Sequence, residues 1–214
     1  MWASDDDVWE AGFLERGVAD LEAHPQSAAW FCRIDNIDRQ GRTYRQYPPF
    51  SRLVRTHGKR DVLRRFLFEP EILGKANLIY GLYRRETLQA ALSLFPHGFG
   101  RWGGDMHLVY AVLCRGDFVF DDDVRFHKRV DTLRPARERR WPRRHIYPLR
   151  KTAEYFGGYA QAAEGTPYAA ITRWLLRGRF VLDRLYWLAT LIPFLATQLW
   201  RIRPWGSQGA PRDR

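Results

Sequence analysis

The sequence predicts a mixed α/β fold closed by a helical C-terminal extension. Segments with helical spacing alternate with short aromatic and β-branched runs through residues 1–132. The 214 residues are 45% hydrophobic and 15% aromatic, enough for a substantial core and too apolar for a disordered chain. Beyond residue 132 the alternation stops. A basic, proline-interrupted stretch and a helical segment occupy 133–178, and 179–214 holds an apolar run and a polar tail.

The elements follow in order. Phe13, Leu14, Val18 and Leu21 recur at helical spacing with Glu10, Glu15 and Arg16 polar, and His24-Pro25 ends this helix. Ala28 to Ile34 is strand-like. Asp38-Arg39-Gln40-Gly41-Arg42 is a turn signal, and Thr43 to Tyr47 returns as a hairpin partner before Pro48 and Pro49. Arg52 to Glu69 reads as a loop running into a basic helix, Ala76 to Tyr83 as a strand, and Arg84 to Leu94 as a helix. Pro96 to Gly104 is glycine-rich and irregular. Asp105 opens a helix through Cys114, and Asp117–Phe120 and Val124–His127 read as two short strands. Tyr155 to Gly178 is a mixed helical segment, and Phe180 to Trp200 an apolar one.

A formal net charge of +11 favours a polyanionic partner: nucleic acid, an anionic membrane or a phosphorylated substrate. Cys32 and Cys114 lie far apart with no metal-knuckle spacing, a pattern that fits a reducing compartment. The opening stretch carries Asp5-Asp6-Asp7 between Trp2 and Trp9, where a secretory leader would carry a basic patch and an apolar run.

That acidic cluster is the first candidate site. Hard cations such as Mg2+ or Mn2+ take carboxylate oxygens, one or two of them from the protein when a phosphate supplies the rest. The competing explanation is a solvated tail. A second cluster, Asp121-Asp122-Asp123, follows a strand and reads as a solvated turn. His97, His107 and His145 have no ligand-spaced neighbour and read as surface or packing residues.

Three stretches together resemble family 2 glycosyltransferases. The first is Trp2 to Glu15, with an acidic motif, an aromatic and a following helix, continued by Leu21-Glu22-Ala23-His24-Pro25. The second is Asn77-Leu78-Ile79-Tyr80-Gly81-Leu82-Tyr83-Arg84-Arg85-Glu86-Thr87-Leu88. The third is Gly103-Gly104-Asp105-Met106-His107-Leu108, followed by Leu113 to Phe120. They run in the family's order from about Trp2 to Arg129.

The resemblance implies the C-terminal portion of a GT-A, Rossmann-like domain that transfers a sugar, with inversion, from a nucleoside-diphosphate sugar to a hydroxyl. It implies Mg2+ or Mn2+ on Asp6 and Asp7, with Asp5 as a further candidate; Ser4 stands where the family often has an aspartate. It implies Asp105 as the base that takes the acceptor proton, where the residues alone allow a helix cap. It implies substrate contacts from Trp9, Tyr80, Gly103, Gly104, His127 and Arg129. For His127 and Arg129 a basic surface strand is the equal alternative. The family's nucleotide-binding half precedes the acidic motif, so this stretch alone is expected to bind the donor poorly, and a non-catalytic binding module is the alternative.

From Val124 to Lys151 eleven Lys and Arg face two acids, Asp131 and Glu138, a net of +9. No nucleic-acid motif frames this segment. Beside the apolar run it fits an anionic membrane surface better. Leu185–Trp200 holds no charge, is short of the roughly 20 residues that span a bilayer, and contains Pro193. Trp187, Trp200, Trp205, Arg201 and Arg203 have the composition of an interfacial belt. The expected partners are therefore a nucleotide sugar, a saccharide or lipid-linked acceptor and a membrane surface, with no nucleic acid, at the cytoplasmic face of the membrane. A terminal helix packed on its own domain or on a second copy is the competing explanation.

Overall fold

A computed structural model describes residues 2–54, 58–96, 102–130 and 149–202. It is a mixed α/β chain. The strands are β1 (Val8–Trp9), β2 (Ser27–Ile37), β3 (Thr43–Gln46), β4 (Leu82–Tyr83) and β5 (Asp117–Arg129). The helices are α1 (Phe13–Ala23), α2 (Ser51–Val54), α3 (Lys59–Phe68), α4 (Arg85–Leu92), α5 (Gly104–Leu113), α6 (Leu149–Ala162) and α7 (Ala169–Ile202). The chain divides by its contacts into two compact units, Met1–Leu176 and Arg177–Arg214.

One sheet organises the first unit. Its strand order is β1-β5-β2-β3, with β4 also paired to β2. β2 and β5 run parallel and every other pair is antiparallel. A parallel pair needs a long crossover, and everything from β3 to α5 supplies it. β2 is buried at every position except the half-buried Arg33, as a central parallel strand must be. The sequence reading ended it at Ile34. The strand runs three residues further and carries Asp35, fully buried, and Asn36, 5% exposed, into the interior.

α1 packs on β2 through a close approach at Gly17. A Cβ there would lie 2.4 Å from Leu82 Cδ1 and 2.6 Å from the Trp30 ring. Trp30 Nε1 donates to Asp20 Oδ2 at 2.8 Å, so the buried indole is satisfied by the same helix that covers it. Trp30, Phe31, Phe66 and Phe126 are wholly inaccessible to solvent, and each such side chain contributes about 1.5–3 kcal/mol by burial. α5 is buried from Met106 to Leu113. It packs on α6, α4 and the 3-10 turn described next.

Four expectations are corrected. Residues 76–83 are a 3-10 turn, Lys75–Tyr80, followed by the two-residue β4. A short apolar run does not distinguish strand from helix by period. Here Gly74 at φ 88 starts the turn, and the Tyr83 hydroxyl donates to Leu78 O at 2.5 Å. Second, 117–129 form one strand. Opposite Cys32 and Arg33 the register jumps from Asp121 to Arg125, so Asp122 to Val124 bulge out of the ladder. Third, Asp121–Asp123 is therefore no free turn: Asp121 is 7% exposed and ion-paired to Arg16 at 2.9 Å, and Asp122 accepts from Ser51 Oγ at 2.8 Å. Fourth, the helical segment read over Tyr155–Gly178 is two helices, α6 ending at Ala162 and α7 beginning at Ala169, and α7 runs on through Pro193 to Ile202.

Arg134–Pro148, His97 and His145 lie outside the described residues. His107 is a packing residue, 2% exposed, with Nε2 at 2.8 Å from Tyr155 O. Among the described residues no helix is long and apolar enough to cross a membrane.

Candidate functional site

In open α/β sheets ligands gather outside the carboxyl ends of the parallel strands. Here that end is formed by Asp35–Ile37 of β2 and Phe126–Arg129 of β5. β1 runs antiparallel to β5, with Val8 opposite His127 and Trp9 opposite Phe126. Asp7, just before β1, therefore lies at the carboxyl end of β5. The acidic motif reaches this position because a two-residue strand pins it there.

Asp7 Oδ1 accepts the Arg129 N–H at 2.8 Å, while its buried Oδ2 has no hydrogen-bond partner among the described residues. Burial pushes this carboxyl above its ordinary value. The Arg129 N–H and the Lys128 and Arg129 charges pull it down, and neighbouring Asp6 pushes it up. Asp5 and Asp6 are exposed, and the Ser4 hydroxyl donates to Asp6 Oδ1.

Around Asp7 the register assembles groups the sequence does not single out. Asn36 lies opposite Lys128 and Ile34 opposite Phe126, so these four side chains share one face of the sheet. Lys128 Nζ donates to Asn77 Oδ1 at 3.1 Å and sits 5.0 Å from the centre of the Tyr80 ring. Tyr80 in turn packs on Phe126 at 5.2 Å. Asn36 Nδ2 donates to the Tyr47 and Tyr44 hydroxyls at 3.2 and 3.4 Å. Its buried Oδ1, the Trp9 Nε1 and the His127 Nδ1 have no partner among the described residues. Unpartnered buried polar atoms are rare in folded proteins; by the register, Trp9 and Asn36 lie on the face of Lys128 and His127 on the other.

The other predicted residues fall as follows. Trp9 stacks on Phe126 at 5.1 Å. His127 Nε2 meets Glu10 Oε1 at 3.1 Å. Arg129 is turned to its own backbone: Nε donates to Asp6 O at 2.9 Å, and one Nη to Asp38 O and Arg39 O at 2.9 and 3.0 Å. It clamps the acidic motif to the β2–β3 turn.

Asp105 is exposed, in the first turn of α5, and accepts the Met106 N–H at 2.8 Å. The helix opens one residue earlier, at Gly104, which is buried, with Gly103 as its cap at φ 83. The close approach that Gly103 permits is to Tyr155, whose ring would lie 2.5 Å from a Cβ. Asp105 is not one of the groups that the register gathers around Asp7; α5 as an element packs on the Lys75–Tyr80 turn that carries Asn77 and Tyr80.

Among the described residues no group of three His, Cys, Asp or Glu side chains could hold a metal ion by itself. A cation shared with a diphosphate needs fewer protein ligands, and the unpartnered Asp7 Oδ2 fits that role, with Asp6 or Asp5 beside it in sequence. A groove of about 430 Å³ is lined by Gly12, Glu15, Arg16, Asp121 and Asp123 at the β5 bulge. Asp121 there is ion-paired to Arg16 at 2.9 Å.

No family model, no curated protein and no solved structure matches the chain.

Proposed function

We propose that this chain carries the metal-binding and acceptor side of a GT-A glycosyltransferase similar to family 2. The observation that carries the reading is the Asp7 carboxylate, whose buried Oδ2 has no hydrogen-bond partner among the described residues, beside Lys128 at the carboxyl end of the parallel pair. A bound Mg2+ or Mn2+ would offset the charge of the departing diphosphate. Asp7, with Asp6 or Asp5, would hold it, and Lys128 would add a fixed positive charge near the same phosphates.

In the transfer the acceptor oxygen bonds to the anomeric carbon as the bond from that carbon to the diphosphate oxygen breaks. The hydroxyl proton passes to the Asp105 carboxylate, and the nucleoside diphosphate leaves with the electron pair. An exposed carboxylate at the start of a helix is accessible to an acceptor, as a base must be. Trp9 and Tyr80, both half-buried, offer the indole and ring surfaces that suit a sugar. The acceptor class is a cell-envelope or lipid-linked saccharide.

The test is release of nucleoside diphosphate from a panel of nucleotide sugars with Mn2+, using the protein as its natural source makes it. Asp105→Asn is expected to lower turnover by about 10²–10⁴-fold with an unchanged melting temperature. Full turnover by Asp105→Asn refutes the role of this residue. Full turnover by Asp7→Asn refutes the site.

A further inference from the structure

The second compact unit, Arg177–Arg214, poses a separate question, because its helix carries large apolar side chains in solvent. Val181, Leu182, Leu185 and Tyr186 are between 54% and 71% exposed. Their spacing of i, i+1, i+4 and i+5 places them on one stripe of α7. At 3.6 residues per turn Arg177 and Arg184 fall along one margin of that stripe, and the Arg179–Asp183 ion pair along the other. The arginines are held in place. Arg179 Nε lies 3.8 Å from Asp183 Oδ2, and the Arg184 guanidinium sits 5.0 Å from the centre of the Phe180 ring. The unit has seven arginines against Asp183 and Asp213, a net of +5. Its sequence continues without a charge from Trp187 to Trp200 and closes with Arg201 and Arg203.

We propose that this face of α7 lies on an anionic lipid bilayer, with Val181, Leu182, Leu185 and Tyr186 in the interfacial region and Arg177 and Arg184 at the headgroups. Two observations select this occupant. A stripe edged by arginines complements a negatively charged surface, and long cationic side chains reach headgroups while their stems stay in the apolar layer. The helix is also not long and apolar enough, over its described residues, to cross a bilayer, which leaves the bilayer surface as the place where this stripe would meet lipid. A second copy of the unit would bring +5 against +5, which works against that pairing. This surface does not depend on the transferase reading.

The experiment is co-sedimentation of the full chain with vesicles of phosphatidylcholine, alone or mixed with phosphatidylglycerol. Binding is expected on the mixed vesicles, to be much weaker on phosphatidylcholine alone, and to fall as salt rises. Val181→Glu with Leu185→Glu is expected to lower the partition coefficient by about tenfold or more. Arg177→Gln with Arg184→Gln leaves the apolar stripe intact and is expected to weaken binding to the mixed vesicles only. Circular dichroism checks that both variants keep their helix. Equal binding to both vesicle types, or unchanged binding by the double-glutamate variant, overturns the proposal. So does a vesicle-free dimer that the double-glutamate variant dissolves, which would assign the stripe to a second copy.

Discussion

Asp7 keeps a carboxylate where burial penalises its charge. Folding raises this group above the ordinary value of 3.8, so the fold favours its protonated form. The penalty is absent below pH 3.8 and develops as pH rises through the folded value. Asp7→Asn keeps an oxygen for the Arg129 N–H and removes the charge. It is expected to leave the melting temperature unchanged or raised at pH 7, with the difference shrinking by pH 4, while abolishing metal binding. Scanning fluorimetry at the two pH values checks this; a clear loss of stability at pH 7 would mark Asp7 as structural. Gly103 gives a second prediction. Gly103→Ala places a Cβ both at φ 83 and in the Tyr155 ring, whereas Gly12→Ala at φ 82 meets nothing within 4 Å. Gly12→Ala is expected to cost about 1–2 kcal/mol, and Gly103→Ala about 1–3 kcal/mol more, read by urea denaturation. Asp5-Asp6-Asp7 and Asp105 stand out in the sequence because an acidic cluster and a carboxylate at a helix start are local patterns. Asn36, Asn77 and Lys128 do not: register across β2 and β5 and an intervening turn bring them to one place, and each alone resembles any surface polar residue.

At the level of elements, two ties hold the site's supports. Arg129 binds three backbone carbonyls on two separate segments. Arg129→Ala is expected to lower stability by about 1–3 kcal/mol, because it leaves those acceptors short of a donor, and Arg129→Lys, lacking the fork, restores it only in part. A variant that loses donor affinity with no change in denaturation midpoint would assign Arg129 to substrate contact instead. The Tyr110 hydroxyl and Thr172 Oγ1, 2.8 Å apart and buried, join α5 to the first turn of α7. A double-mutant cycle with Tyr110→Phe and Thr172→Val is expected to show about 1 kcal/mol of coupling; additive effects would mean that the bond contributes nothing. Most elements were readable from periodicity, and α1, β3 and α5 lie close to their predicted bounds. The β5 bulge was not readable, because three consecutive aspartates look like a turn until β2 supplies the parallel ladder that carries the strand past them. The 3-10 turn was hidden for the opposite reason: Leu78-Ile79-Tyr80 is apolar enough for a strand, and tertiary packing around Lys75 and Leu78 decides the matter.

Across the whole molecule, the α/β class was legible from the alternation of helical and strand segments. The sheet's mixed topology was not, because strand direction depends on a crossover of some eighty residues between β2 and β5 that no local signal encodes. The excess of positive charge is likewise a property of the whole chain. Part of it serves internal ties such as Arg129 and Arg115, whose guanidinium binds Ala111 O, Ala162 O and Glu164 O. Counting charges therefore overstates the basic surface open to a polyanion, and the arginines beside the α7 stripe are more informative than the total of +11.

The central claim is that the carboxyl end of the β2–β5 pair, and not the second acidic cluster, receives a divalent cation. Paramagnetic broadening of backbone amide resonances by Mn2+, with inorganic pyrophosphate present, tests it at single-residue resolution. Selective broadening of Asp7, Trp9, Asn36 and Lys128, lost in Asp7→Asn, is the predicted result. Broadening centred on Asp121–Asp123, or a pattern that Asp7→Asn leaves unchanged, would contradict it.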